Sequence, residues 1–377
     1  VEKAYEFRAY PKKEQCVLAQ KTFGCVRFVY NHYLNAKIES YKKVGKSLSY
    51  NECSKDMTAL KKTLPWLNEV DSTALQSSLK NLDNAFSMFF DGIKHGRKVG
   101  FPKFKTKHRS RKSFTSKMGI KVFDNAVRLP KLGIVPCVIS RPVEGRPISI
   151  TLKQSASGKY FVSILCTDIK EAPLQQAGKM VGIDLGIKTL VTTSDGIEYP
   201  NHKHLQMAQR KLARAQRSLS RKQKGSNNRA KARIQVARQH ENIKNRREDT
   251  LHKLTTELVR EYDLIAVESL RVRNMVKNHR LAKAISDASW SELIRMLQYK
   301  AKWYGKMVIE VDSFFPSSQL CHCCGHRNHD TKNLNIRKWT CPICGAVHDR
   351  DVNAAINILN EGVRILTQPS TAGLAGI

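Results

Sequence analysis

Acidic residues are scarce in this 377-residue chain: 32 Asp+Glu stand against 66 Lys+Arg, a formal charge of +34. An excess this large repels itself in a compact fold, and its usual compensation is a polyanion. Long apolar runs are missing too. Nothing approaches the roughly 20 apolar residues of a membrane span, so no membrane partner is expected. The opening residues Val1-Glu2-Lys3-Ala4-Tyr5 carry no apolar signal region. Aromatics reach only 7%, yet hydrophobic residues make up 41%, enough for real cores and too many for a disordered basic tail. Internal repeats are absent. At roughly 100–200 residues per domain, the length corresponds to two or three domains. Cysteine is not scarce, but it is clustered. Five of the ten lie within 321–344, while Cys16, Cys25, Cys53, Cys137 and Cys166 are scattered. Clustering beside a large core points to a metal site in a reducing compartment rather than a disulfide scaffold. The first expectation is a cytosolic nucleic-acid-binding protein.

Residues 1–10 alternate like a strand. From Glu14 to Tyr41 the apolar spacing turns helical, and further helices are predicted over 50–63 and 71–93. Residues 97–117 then hold nine Lys+Arg and no acid, with Phe101 and Phe104 interleaved and Gly100 and Pro102 breaking any helix. A solvated loop is the plain reading. A phosphate-tracking segment is the functional one, favoured by the aromatics among the cations. Residues 120–170 read as short strands of a small antiparallel barrel, into which 13–111 would be inserted. A strand at 179–185 and hairpin strands at 190–193 and 196–199 follow. Two basic helices are predicted over 203–223 and 229–261. Between 201 and 250 stand 15 Lys+Arg and 3 acids. Leu264-Ile265-Ala266-Val267-Glu268 reads as a strand buried on both faces. A helix at 290–305, a strand at 307–311 and a short helix over 353–359 complete the pattern.

Cys321-His322-Cys323-Cys324-Gly325 and Cys341-Pro342-Ile343-Cys344-Gly345 are two Cys-x-x-Cys-Gly knuckles. Each places two thiolates on one tight turn, and two knuckles complete a tetrahedral site for one zinc ion. Cys321, Cys324, Cys341 and Cys344 are the expected ligands. Four protein ligands close such a site to water, so its role is structural. Cys323 is left over, and His322, His326 and His329 are the alternative ligands.

Three acids stand in conspicuous places: Asp184 within an apolar strand, Glu268 ending a buried strand, and Asp351 at the start of the last helix. Charge buried at strand centres is costly unless a cation pairs with it. Carboxylates converging from two strands and a helix N-terminus can hold two Mg2+ ions, which activate water and stabilise the leaving oxygen of a phosphodiester. Each acid alone also has a plain reading, strand-end solvation or an N-cap.

Gly182-Ile183-Asp184-Leu185-Gly186, Val267-Glu268-Ser269-Leu270 and Asp349-Arg350-Asp351-Val352-Asn353-Ala354-Ala355 resemble the three motifs of a RuvC nuclease domain, with the ribbon between the second and third. With Arg27-Phe28-Val29-Tyr30-Asn31, Gly100-Phe101-Pro102-Lys103-Phe104, Leu129-Pro130-Lys131-Leu132-Gly133 and Ser317-Ser318-Gln319, the chain over 1–366 resembles the TnpB family. These are insertion-sequence-encoded RNA-guided DNA endonucleases related to type V CRISPR effectors. The resemblance implies a multidomain α+β protein. Its β-barrel wedge (1–12 and 112–176) would hold a helical recognition domain (13–111). An RNase H-like RuvC α/β nuclease (177–317 and 346–366) would hold the zinc ribbon (318–345), a target nucleic-acid-binding element, before a disordered tail (367–377). It implies that Asp184, Glu268 and Asp351 bind magnesium and carry cleavage.

It further implies a guide RNA from the transposon right end, double-stranded target DNA, a monomeric protein within the ribonucleoprotein, and action in the prokaryotic cytosol at the nucleoid. A short target-adjacent DNA motif would be read at positions matching Tyr50, Ser54, Thr73, Gln76, Thr115 and Ser116. Gln76 suits a bidentate contact to adenine and Thr73 a thymine methyl. Base pairing would then read sequence while protein reads backbone shape. Candidate backbone contacts are Lys103, Lys105, Arg109, Arg111 and Lys112, with Arg210, Arg214, Arg217, Arg221, Arg229, Arg233, Arg246 and Arg247 on the basic helices. For these helices a merely solvated face is the alternative. Competing functions are a cleavage-deficient guide-dependent regulator, a DDE-type transposase and a simple zinc-ribbon binding protein. The three acids argue against the first. The ribbon's position and the lack of an N-terminal helix-turn-helix pattern argue against the second. The placement of Asp184 and Glu268 argues against the third.

Overall fold

The computed structural model describes residues 1–107, 109–170, 173–333 and 335–367. The segment 368–377, most of the expected disordered tail, lies outside the described residues. The chain divides into two compact units, Val1–Lys170 and Glu171–Ile377. Among the described residues, no helix is long and apolar enough to cross a membrane.

In the first unit, β1 (Lys3–Ala9) alternates as the sequence predicts, with Tyr5, Phe7 and Ala9 buried. Its sheet partners come more than 120 residues later. β1 pairs antiparallel with β7 (Tyr160–Thr167) on one side and β5 (Gly133–Val138) on the other. β2 (Lys112–Ser116) and β6 (Arg146–Gln154) extend the first side, and β4 (Ala126–Leu129) and β3 (Lys121–Phe123) the second. All pairings are antiparallel. The expected barrel is, in its hydrogen bonding, an open seven-stranded sheet with β2 and β3 at its edges. β3 is only three residues long, which gives little ladder with which to close the sheet.

The helical block enters between β1 and β2, as an insertion. α1 (Lys13–Val44) runs for 32 residues without a break. Gln15 ties its start to the sheet, donating to the carbonyls of Leu132 and Ile134. α2 (Tyr50–Thr63) opens on a capping box of Ser49 and Glu52, and α3 (Ser72–Lys94) on the Asp71 carboxylate. The three helices share a core of Val29, Tyr33, Leu34, Cys53, Met57, Leu75, Leu79 and Leu82, joined by Leu67 from the turn between α2 and α3.

In the second unit, β8 (Met180–Leu185), β9 (Thr189–Thr193) and β10 (Glu198–Pro200) form an antiparallel meander. β11 (Leu264–Glu268) then joins β8 in parallel, and β12 (Met307–Val311) joins β11 in parallel, giving the order β10-β9-β8-β11-β12. Between them run the basic helices α4 (His204–Ser220) and α5 (Asn227–Glu261). α4 buries only Leu212, whereas α5 buries Leu251, Leu254, Leu258 and Val259 near its C-terminus. Two short helices absent from the sequence reading, α6 (Val272–Met275) and α7 (Ala282–Ala288), precede α8 (Trp290–Tyr304).

The hairpin β13 (Lys338–Thr340) and β14 (Val347–Asp349) leads directly into α9 (Arg350–Thr367). The last helix is therefore much longer than the predicted 353–359. Its first turn is polar and its last turns are largely exposed, so apolar spacing reveals only the middle. α9 lies against β8 at Gly182. A Cβ there would stand 2.0 Å from the Ala355 carbonyl oxygen and 2.6 Å from the Leu359 nitrogen. The glycine in this strand is thus a condition of close helix-to-sheet approach.

Candidate metal centres

Asp184 is the penultimate residue of β8 and Glu268 the last of β11. These strands are parallel neighbours, with Ile183 opposite Val267, so both carboxylates emerge at the same end of the sheet. Asp351, in the first turn of α9, comes from the helix that packs on β8. Asp184 senses the other two electrostatically. The Asp184 carboxyl is pushed up to about 7 by burial, then by the negative charges of Asp351 and Glu268, against the opposing pull of Arg350 and Arg337. Burial pushes Glu268 up to about 6. A like-charged, partly desolvated acid cluster of this kind is a functional-site signature. Carboxylate oxygens are the donor type that magnesium takes, but among the described residues the three acids do not form a group whose ligand atoms all lie within 4.8 Å of one another.

The raised Asp184 pKa has a consequence for stability. Below its ordinary value of 3.8 this group contributes fully, and the contribution is lost as pH rises through about 7. In magnesium-free, zinc-loaded protein, raising the pH from about 5 to about 7 should lower the melting temperature, and Asp184→Asn should flatten that decline. Differential scanning calorimetry of both proteins checks it, and equal slopes would refute it.

Arg337 is a site residue that sequence reasoning missed. Its Nη1 donates to both carboxylate oxygens of Asp351 at 3.1 Å. Nothing in its spacing marks it. It reaches Asp351 only because the hairpin folds back, with the Arg350 N–H donating to the Arg337 carbonyl at 2.8 Å.

The four knuckle sulfurs of Cys321, Cys324, Cys341 and Cys344 all lie within 4.8 Å of one another. The pairs Cys321–Cys344 and Cys324–Cys341 are each 3.6 Å apart. A tetrahedral zinc site with bonds near ~2.3 Å has sulfurs about 3.8 Å apart, so the residues fit. Gly325 and Gly345 have φ of 74° and 72°, and their N–H groups donate back to the carbonyls of Cys321 and Cys341. Only this left-handed turn closes each knuckle, and it favours glycine. The Cys341 thiol is lowered to about 6, first by the backbone N–H of Cys344.

Exposed Cys323 stands outside this foursome. Of the histidines, the one at the cluster is His348, with Nε2 3.1 Å from the Cys321 sulfur, rather than the predicted alternatives His322, His326 and His329. Cys321, Cys323 and His348 form a second, overlapping grouping. His348 lies outside the knuckle spacing, and only strand β14 brings it there.

The six candidate motif readers fall on α2, α3 and β2, and contacts link these elements. The Lys117 N–H donates to the Thr73 hydroxyl at 3.2 Å, and the Lys80 ammonium lies 5.1 Å from the Tyr50 ring centre. Gln76 is exposed and Tyr50, Ser54, Thr73 and Thr115 are half-buried. Thr115 shares a hydrogen bond with Thr151 at 2.8 Å. Ser116 departs from the expectation: it is 0% exposed. Strand alternation turns Phe114 and Ser116 inward and leaves Thr115 on the other face, so in this conformation Ser116 presents no surface to DNA.

Among the candidate backbone contacts, Lys103, Arg109, Arg111, Arg210, Arg214, Arg217, Arg221, Arg233 and Arg246 are exposed. Others are already engaged within the chain. Lys105 holds its ammonium 3.7 Å from the Tyr30 ring centre while its backbone and the Asn31 amide exchange two hydrogen bonds. Lys112 donates to Gln20 and Gln154. Arg229 closes the turn between α4 and α5 on the carbonyls of Leu219 and Lys222, and Arg247 pairs with Asp287.

These observations define a class: a strongly basic α+β protein with two acids at one end of a sheet, a third on the helix packed against it, and a four-cysteine cluster. Comparison with known proteins narrows the class. Residues 163–279 match the OrfB_IS605 family model, described as a probable transposase, and residues 290–358 match the Cas12f1-like TNB domain. Residues 1–46 match a model described as a helix-turn-helix domain, where the sequence pattern shows none. In the structure this stretch is one strand and one continuous helix, so the match carries no turn between two helices.

A Streptomyces pristinaespiralis protein named "Putative RNA-guided DNA endonuclease" is 45% identical over 370 residues, 96% of this chain and 90% of that protein. The similarly named InsQ of Escherichia coli (strain K12) is 34% identical over 382 residues, 96% of this chain and 93% of its own. Among solved structures, a Cas12f1-sgRNA-target DNA complex matches the fold with a TM-score of 0.51 at 13% identity, covering 96% of this chain and 99% of that one. The chain belongs to the TnpB family.

Proposed function

We propose that this protein is an RNA-guided DNA endonuclease of an insertion sequence, which uses a guide derived from the transposon right end and cuts double-stranded DNA beside a short motif. The observation that carries this reading is the convergence of Asp184 and Glu268 from adjacent parallel strands with Asp351 from α9. The second unit is then the RuvC nuclease with its inserted ribbon, and the first unit the wedge with its inserted recognition helices. Two magnesium ions, when bound, would supply an activated water and stabilise the leaving oxygen. The chain's part is to hold three carboxylates at one end of a rigid sheet. Arg337 offsets charge at Asp351. Tyr50, Ser54, Thr73, Gln76 and Thr115 are the proposed motif readers. One structural zinc ion held by the four cysteines fixes the ribbon, and a single protein copy acts in each ribonucleoprotein.

Co-expression with transposon-end RNA tests the reading. The purified protein should retain that RNA and cut a motif library only with magnesium. Protein that carries no specific RNA, or that cuts without regard to a guide, would overturn the proposal. The exposed arginines of α4 supply the backbone grip. Replacing Arg210, Arg214, Arg217 and Arg221 by Gln should weaken guide RNA binding and lower its log–log salt slope by roughly 3. Filter binding across a salt series measures this, and an unchanged slope would return these residues to a solvated face.

A further inference from the structure

We propose that Asn353 and Asn357 are positioning residues that lock the first cysteine knuckle onto α9, so that zinc in the ribbon sets the placement of the carboxylate of Asp351. The proposal rests on the nuclease reading for its catalytic consequence, while the lock itself stands on geometry.

Both asparagines face inward, at 1% and 6% exposure. Their spacing of four puts them on one face of α9. A buried amide is costly unless its polar atoms are paired. Here the partners come from the chain entering the knuckle. The Asn353 amide nitrogen donates to the Leu320 carbonyl at 2.7 Å, and its oxygen receives the His322 backbone N–H at 3.1 Å, with the His322 Nδ1 3.0 Å away. The Asn357 nitrogen donates to the carbonyls of Ser317 at 2.8 Å and Leu320 at 2.7 Å. Leu320 and His322 flank the ligand Cys321 on either side. Apolar side chains at 353 and 357 would bury as well, but they would not dictate where the knuckle sits along the helix. Paired amides do.

The second knuckle reaches the same turn by another route. β14 follows it and runs into α9 with no linker, and its His348 stands 3.1 Å from the Cys321 sulfur. The Asp349 carboxylate then receives the N–H groups of Asp351 at 3.0 Å and Val352 at 3.2 Å. The turn that carries Asp351 is therefore held from both ends by the ribbon. Groups that orient metal-binding side chains typically matter by 10–100-fold in affinity or activity.

The test uses the full chain with its guide RNA, as Asn353→Ala, Asn357→Ala and, as a control, Asn360→Ala, an exposed asparagine on the same helix. With all four cysteines present, the first two variants should keep one zinc per chain by elemental analysis and keep guide and target binding. They should need about tenfold more magnesium for half-maximal cleavage, and the control should match wild type. Hydrogen exchange supplies a readout independent of activity. Removing zinc from wild type should speed exchange of the amides of 351–355, and in Asn353→Ala the same turn should already exchange fast, with zinc adding little. Should Asn353→Ala fold poorly, Asn357→Ala decides. Wild-type exchange at 351–355 indifferent to zinc would overturn the lock. Unchanged magnesium dependence in a variant whose turn exchanges fast would overturn the link to Asp351. If wild type cuts nothing, the nuclease reading has failed, and the exchange experiment still decides the lock.

Discussion

Asp184→Ala should leave guide RNA and target DNA binding near wild type while removing magnesium-dependent cleavage. Helices α1 to α5 hold none of the three acids, so the proposed polyanion grip should survive. What is lost is a carboxylate at the centre of the cluster, whose raised pKa reports both of the other acids. Metal-centred charge stabilisation is worth several kcal/mol, and each 1.36 kcal/mol is tenfold, so the expected loss is roughly a thousandfold or more. Single-turnover cleavage of a guide-matched duplex, with binding measured in parallel, checks it. Cleavage retained within tenfold would remove Asp184 from the catalytic set.

Cys341→Ser should be the other large effect. Structural zinc in small ribbons contributes apparent binding free energies of about 10–16 kcal/mol, much of which is folding energy. The ribbon around Cys321, Trp339 and Cys341 has only a small core of its own, so it depends on the ion. The variant should hold well under one zinc per chain by native mass spectrometry, and proteases should cut within 318–345 much faster than in wild type. Cys323→Ser should change neither quantity, because its sulfur lies outside the foursome. Full zinc in Cys341→Ser, or zinc lost from Cys323→Ser, would shift the assignment toward the overlapping grouping with His348.

Much of the site was legible in one dimension. Spacing revealed the four cysteines because knuckle chemistry is local: two ligands and a glycine share one turn. Asp184 and Glu268 showed themselves as charges in otherwise apolar strands, a local contradiction that calls for a function. The long helices were legible from their periodicity, with errors at polar ends such as the first turn of α9. Arg337, His348, Asn353 and Asn357 stand out only through their tertiary contacts. Each acts across a fold-back, and none breaks a local pattern.

The same divide governs what is buried or engaged. Ser116 was matched by position, but strand alternation buries it. Lys105, Arg229 and Arg247 counted as cations in the sequence, yet the tertiary structure engages them with Tyr30, a helix turn and Asp287.

Charge, composition and local spacing by themselves determined a strongly basic chain, two cysteine knuckles and three acids set in apolar strands or at a helix start. They are sums or short-range patterns, which a linear chain already contains. Only the tertiary structure decided that β8 and β11 lie side by side and that a ribbon between two motifs is tied to the helix of the third. Those facts depend on long-range strand pairing and on buried amides finding partners more than 30 residues away.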